Sequence, residues 1–354
     1  MKIISANWIV TCDENNSIIK NGAVVFNDKI EEIDTLSNIE KKYPNIEIEK
    51  LPENSVLMPG LINSHVHLEF SGNTTTLKYG NFYSWLTSVI KHREDLITMA
   101  NTQLILSKLN KMKRTGTTTI GAISSYSYDL DACVKSPLNK VFFCEVIGTK
   151  GDMIDTLFAD FKDRLNIARK HKSANFIPAI AIHSPYSVHP FLVRETLKLA
   201  REENLPVTSH FLESQEEFEW LHKDEGAFVE FFKNFLNQEQ AVTKPMEFLN
   251  LFSNIKNLSF THCVEASDAD LEKIKLLGAS VNHCVTSNRL LNNTKLDLEK
   301  LKDIPFTIGT DGLSSNNSLS MFDELRNVLM THYDKNILEF SNVLLKAATI
   351  NGRH

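Results

Sequence analysis

No stretch of this 354-residue chain approaches the roughly 18 consecutive apolar residues that a membrane-spanning helix needs. The start, MKIISANWIVTCDENN, also lacks a secretory pattern, because its apolar run is short and alternates like a strand. A basic excess is missing too: 38 Lys and Arg stand against 44 Asp and Glu, a net charge of −6, which argues against nucleic acid as the main partner. Cysteine is scarce. The five (Cys12, Cys133, Cys144, Cys263 and Cys284) form no CxxC pair, and an odd, scattered set reads as reduced thiols of a cytoplasmic protein. Internal repeats and low-complexity tracts are absent as well.

What remains is an apolar fraction of 42%, ample for a large core. Residues 1–57 hold short β-rich pieces (IISANWIVTC, SIIKNGAVVF, KIEEID, IEIEKL) separated by turn signals such as Asn21-Gly22 and Asn27-Asp28. They read as a small antiparallel sheet. From residue 58 onward, strand-like runs alternate with longer helical patterns, including 83–114 and 190–204, which is the signature of βα units. Eight candidate strands begin near Val56, Thr117, Val141, Phe176, Pro206, Leu258, Ala279 and Pro305. Eight such units fit a closed parallel (β/α)8 barrel over 58–354, with its active site at the C-terminal strand ends.

Four fragments carry the chemistry: His65-Val-His67, His210 with Glu213 three residues on, His262, and Asp311. Each sits at the end of a run that reads as a buried strand. Alternate side chains of a strand share a face, so His65 and His67 can serve one ion. Three imidazoles and a carboxylate suit a catalytic transition metal with a position left for water.

These fragments and their order resemble the amidohydrolase superfamily. The motifs are MPGLINSHVHLE (58–69), HSPYS (183–187), SHFLES (209–214), NHCVTSN (282–288) and TIGTDGLSSNNSLSMFDELR (307–326). The resemblance is closer to the branch that deaminates adenine-type rings, and within it to the aminodeoxyfutalosine deaminases of menaquinone biosynthesis. It implies one divalent metal, zinc or iron, held by His65, His67, His210 and Asp311. Two-metal members need a carboxylated Lys, or an acidic or thiolate substitute, near the third or fourth strand. The fourth, FIPAIAIHSPYS, has no Lys, and only Cys144 and Glu145 on the third could substitute. His262 then becomes a hydrogen-bond partner of the attacking water, Asp311 its base, and Glu213 the acid that protonates the ring nitrogen. Glu216, Glu217 and Glu219 read as surface charge.

For the nucleoside, the resemblance implies Glu69 or His183 at the ribose and Arg289 at a substrate carboxylate. Phe82, Tyr83 and Trp85 are candidates for an apolar wall. Deaminases of S-adenosylhomocysteine or methylthioadenosine and chlorotriazine-type hydrolases share the metal motifs. A metal-binding barrel without turnover is the non-enzyme reading. The relatives continue into strands that complete a β-sandwich-like small domain, whereas this sequence ends at AATINGRH. Those C-terminal strands are therefore expected to be missing. The sheet should then expose Val24, Val25 and Phe26, or an unpaired edge, and a homodimer is the assembly to test.

Overall fold

The computed structural model describes residues 1–73 and 76–353. Lys2–Val10 (β1), Ile18–Phe26 (β2) and Ile30–Thr35 (β3) form an antiparallel meander. Ile48–Lys50 (β4) and Val56–Leu57 (β5) then pair with β1 in parallel. The sheet is thus mixed rather than antiparallel. The cause is the helix Leu36–Lys42, which carries the chain from β3 across the sheet and returns it in the direction of β1. The expected exposure is not found: Ile39 of this helix packs on Ile3, Ala23 and Val25, Val24 is buried on the opposite face, and Phe26 is half-buried. Ile18, Ile30 and Val56 are the exposed apolar residues instead. Among the described residues, β3 pairs on one side only, so the unpaired edge is present.

The first barrel strand starts at Leu61 rather than near Val56. Val56 and Leu57 pair with Trp8 and Ile9, and Met58-Pro59-Gly60 separates the two pairings. Leu61–His67 (β6), Thr117–Ser124 (β7), Asn139–Val146 (β8), Phe176–Ile182 (β9), Val207–Phe211 (β10), Leu258–His262 (β11), Ser280–His283 (β12) and Phe306–Ile308 (β13) follow one another in parallel around the ring. The helical run 83–114 is two helices, Phe82–Met99 and Thr102–Arg114. Asn101 ends the first by capping the second, its side chain accepting from Leu104 N. Among the described residues no helix is long and apolar enough to cross a membrane.

The ring closes between β13 and β6 through few but specific contacts. Asp311 N donates to His65 O at 3.0 Å, and Ser64 Oγ donates to Ile308 O at 2.8 Å. Asn63 and Thr310 bond reciprocally, Nδ2 to Oγ1 at 2.7 Å and N to Oδ1 at 3.0 Å. Beneath the catalytic end, the lumen is polar on this side. A chain of hydrogen bonds runs from Ser64 through Thr307 and Asn282 to Thr261 and Ser259, and on to Thr208. It reaches the site because Thr261 Oγ1 lies 3.2 Å from His65 Nδ1.

Gly309 sits at this seam. A Cβ there would lie 2.7 Å from His65 Cβ and 3.0 Å from both His65 O and Cys284 Sγ. We therefore expect Gly309→Ala to destabilise the protein by about 1–3 kcal/mol, the range for overpacking a filled site. Denaturant melts would check this, and an unchanged midpoint would show that the seam can relax.

Candidate active site and metal centre

The strand ends bring His65, His67, His210, His262, Glu213 and Asp311 together at the floor of a cavity of about 500 Å³. The ring centroids of His65 and His67 are 4.9 Å apart, those of His65 and His210 4.9 Å, and those of His210 and His262 5.5 Å. His65, His67 and Asp311 offer ligand atoms all within 4.8 Å of one another, and so do His65, His210 and His262.

Local backbone shape aims these groups inward. His262 has φ +73° and Asp311 φ +59°, left-handed values that side-chain-bearing residues adopt at a cost of roughly 1–3 kcal/mol. Leu212, one residue beyond β10, is left-handed as well, at φ +46°. The chain thus leaves three strands by abrupt turns that keep the terminal side chains over the lumen.

The imidazoles are oriented from behind. His210 Nδ1 lies 2.8 Å from His183 O, and His262 Nδ1 lies 2.8 Å from Asn288 Oδ1. Both acceptors require the proton on Nδ1, which leaves Nε2 as a lone-pair donor. His65 Nε2 and His262 Nε2 are buried without a hydrogen-bond partner, and His67 Nε2 faces His210 Nε2 at 3.2 Å. Two lone pairs at that separation repel unless a proton or a cation lies between them. Burial, reinforced by the neighbouring rings, holds His210 down to about 3 and lowers His65 as well, which favours the neutral imidazoles that a metal needs.

Asp311 completes the set. Burial alone would raise its carboxyl, but His67, His65 and His262, with the hydrogen bond from Ser287, hold it well below the usual carboxylate range. Its Oδ2 accepts from Ser287 Oγ at 2.7 Å and from Ser315 Oγ at 2.8 Å, while Gly312 N donates to Oδ1 at 2.8 Å. Orphaned imidazole nitrogens beside an ionised carboxylate fit a divalent transition metal, and nitrogen ligands favour zinc or iron over magnesium or calcium.

Glu213 lies opposite this set, its Oε1 3.4 Å from His262 Nε2. Burial, then Asp311 and Glu217, push its carboxyl well above the ordinary value, which favours the protonated form. Glu217 is a correction. It is fully buried rather than surface charge, and its Oε2 accepts from Glu213 N at 2.8 Å. The readable signal was Ser214-x-x-Glu217, a capping pattern, and Ser214 Oγ indeed caps that helix.

The remaining predicted residues divide. His183 lines the cavity, with Nδ1 2.6 Å from Ser187 Oγ. Phe82 and Trp85 line it too, whereas Tyr83 instead packs edge-on against Phe231. Glu69 is buried outside the cavity lining, and its carboxylate accepts from Ser125 N, Tyr126 N and Tyr128 N at 2.7, 3.0 and 2.9 Å. It anchors the loop after β7 instead of meeting a ribose. Arg289 is exposed on the helix Val285–Asn292 and does not line the cavity. Glu145 does, and its Oε1 is buried without a hydrogen-bond partner. Cys144 is buried, its thiol pushed up to about 12 by burial, and it is no thiolate ligand.

A metal centre built of histidines and one aspartate at the C-terminal mouth of a (β/α)8 barrel defines a class of hydrolases. The chain belongs to the amidohydrolase family, whose model matches residues 56–354. It is 47% identical over 352 residues to the aminodeoxyfutalosine deaminase of a Nitratiruptor species, covering 99% of this chain and 86% of that one. It is 34% identical to the adenosine deaminase of Helicobacter pylori, with the same coverage. The crystal structure of Helicobacter pylori aminofutalosine deaminase in complex with methylthio-coformycin superposes with a TM-score of 0.93 at 32% identity, covering 99% of this chain and 86% of that one.

Glu145, His183 and His210 also offer ligand atoms within 4.8 Å of one another, but His210 Nδ1 is already committed to His183 O. We therefore expect one metal equivalent per chain. Asp311→Asn should lose it and Glu145→Gln retain it in elemental analysis. Two equivalents, one of them lost on replacing Glu145, would overturn the mononuclear assignment.

Proposed function

We propose that this chain is a metal-dependent hydrolytic deaminase of an adenine-type nucleoside, with 6-amino-6-deoxyfutalosine of menaquinone biosynthesis as its substrate. The observation that carries the reading is the placing of Glu213 and Asp311 around His262 on one cavity floor, two buried carboxyls whose surroundings push the first up and the second down, as a proton donor and a proton acceptor require. The aminodeoxyfutalosine deaminase at 47% identity supports the substrate.

His65, His67, His210 and Asp311 would hold the ion. When bound, it supplies a water that ionises near neutral pH. Asp311 takes the proton of the attacking water, and His262, fixed through Asn288, orients that water. Glu213 donates its proton to the ring nitrogen beside the carbon under attack, which makes that carbon electrophilic. Water adds to the carbon, a proton passes to the exocyclic nitrogen, and ammonia leaves. Glu217 holds the backbone of Glu213 in register for the transfer. Glu145, with its free Oε1, and His183 are the polar partners for the ribose, in place of Glu69. Phe82 and Trp85 form the apolar wall. Five free cysteines, all buried, support a reducing, cytoplasmic setting.

Glu213→Gln should keep the metal and lose about 10²-fold or more in kcat, the scale of general acid catalysis. Near wild-type turnover in a metal-replete variant would remove Glu213 from the role. Across a panel, kcat/KM should be highest for aminodeoxyfutalosine, above adenosine, methylthioadenosine and S-adenosylhomocysteine. A preference for S-adenosylhomocysteine would move the substrate and leave the chemistry unchanged.

A further inference from the structure

The helix Phe82–Met99 presents Phe82, Trp85, Leu86, Val89, Ile90 and Arg93 to the cavity. Their spacing of three and four residues defines one helical face. Five of the six are apolar, and the last is a cation. Trp85 Nε1 donates to Ser314 O at 2.8 Å, which pins that turn against the loop following Asp311. Arg93 lies eight residues on, about 12 Å farther along the axis. The wall therefore begins beside the metal centre, runs apolar for two turns and ends in a guanidinium.

That guanidinium is held in a specific way. Its Cζ sits 4.3 Å from the centre of the Tyr126 ring, and Tyr126 belongs to the loop whose N–H groups Glu69 binds. A guanidinium over an aromatic face spends no N–H on it, so its donor edge is available to a planar, two-oxygen partner. Among the described residues, the arginines with a carboxylate partner are Arg164, Arg169 and Arg326, so Arg93 has none. The carboxylates that line the cavity, Glu145, Glu213 and Asp311, are grouped with histidines at the metal centre. Lys150 is the other cation on the wall.

We propose that Arg93, stacked on Tyr126, is the specificity-determining residue that binds a carboxylate at the end of the substrate remote from the reacting ring. This rests on the deaminase reading for the ring and adds the partner of the tail. It also replaces Arg289. An arginine is required rather than any cation, because a lysine ammonium neither stacks flat on the tyrosine nor offers two parallel donors.

The test compares aminodeoxyfutalosine with its carboxamide analogue, by ammonia release and by calorimetric binding, on metal-loaded protein. Wild type should prefer the carboxylate, and that preference should shrink as sodium chloride rises from about 0.05 to about 0.5 M, since an exposed ion pair is screened. Arg93→Gln should lower the carboxylate-to-carboxamide ratio of kcat/KM about tenfold, mostly through KM, as expected for losing one charge-assisted contact. Arg93→Lys should recover only part of it. An unchanged ratio in Arg93→Gln, or a ratio that collapses in Lys150→Gln but not in Arg93→Gln, would overturn the assignment. If metal-loaded wild type released no ammonia from any adenine nucleoside, the deaminase reading would fail, while the calorimetric ratio would still decide the role of Arg93.

Discussion

Three buried imidazoles, the half-buried His67 and a buried carboxylate crowd within a few ångströms of one another, with two Nε2 atoms left without a hydrogen-bond partner. Buried polar atoms without partners cost about 1–3 kcal/mol each. Mutual repulsion of the lone pairs adds to that. A bound cation would offset these costs for His65, His67 and His210, whose lone pairs would become ligands, while His262 Nε2 would be left for the attacking water. The architecture around the centre is best understood as what keeps these donors from escaping the arrangement when they would otherwise turn toward solvent or each other.

Three devices hold them. From behind, His183 O and Asn288 fix the tautomers of His210 and His262, while Ser287, Ser315 and Gly312 N orient Asp311 and leave a lone pair on Oδ1. From below, the hydroxyl and amide chain across the lumen ties five strands together and ends at His65. At the strand ends, left-handed turns at His262 and Asp311 aim the side chains at the axis. Those turns store strain, and the stiff barrel holds it. The seam between β13 and β6 is where these devices meet, which is why a single methyl at Gly309 has no space.

The same fold pushes the proposed acid and base in opposite directions. Glu213 and Asp311 are both buried carboxyls, yet Glu213 is pushed up by burial and by the negative charge of Asp311, while Asp311 is held down by three imidazoles and a serine. Separation of two carboxyls by environment is the general way one site runs acid and base chemistry together. Glu217 adds to it, since its buried carboxyl is itself pushed up to about 7 and sits behind the Glu213 backbone.

The residues proposed for the metal centre could be singled out in the sequence because His65, His67, His210, His262 and Asp311 end strand-like runs, Glu213 follows three residues after one, and all lie in motifs that resemble the amidohydrolase family. Alternating strand and helix patterns made the barrel legible as well. The rest depended on contacts between distant segments. Nothing local distinguishes Arg93 from the charged residues around it in KHRED, or Arg289 from a substrate partner. Only packing of the helix Phe82–Met99 on the loop at Ser314 decides that one lines the cavity and the other faces water. Glu69 follows the alternation of His65 and His67 but leaves the strand after His67, and the loop after β7 captures it with three N–H groups. Val25 likewise depended on a seven-residue helix crossing its face of the sheet. Period and motif determine what a strand offers, whereas the tertiary structure decides which offered group finds a partner, because that partner lies tens to hundreds of residues away.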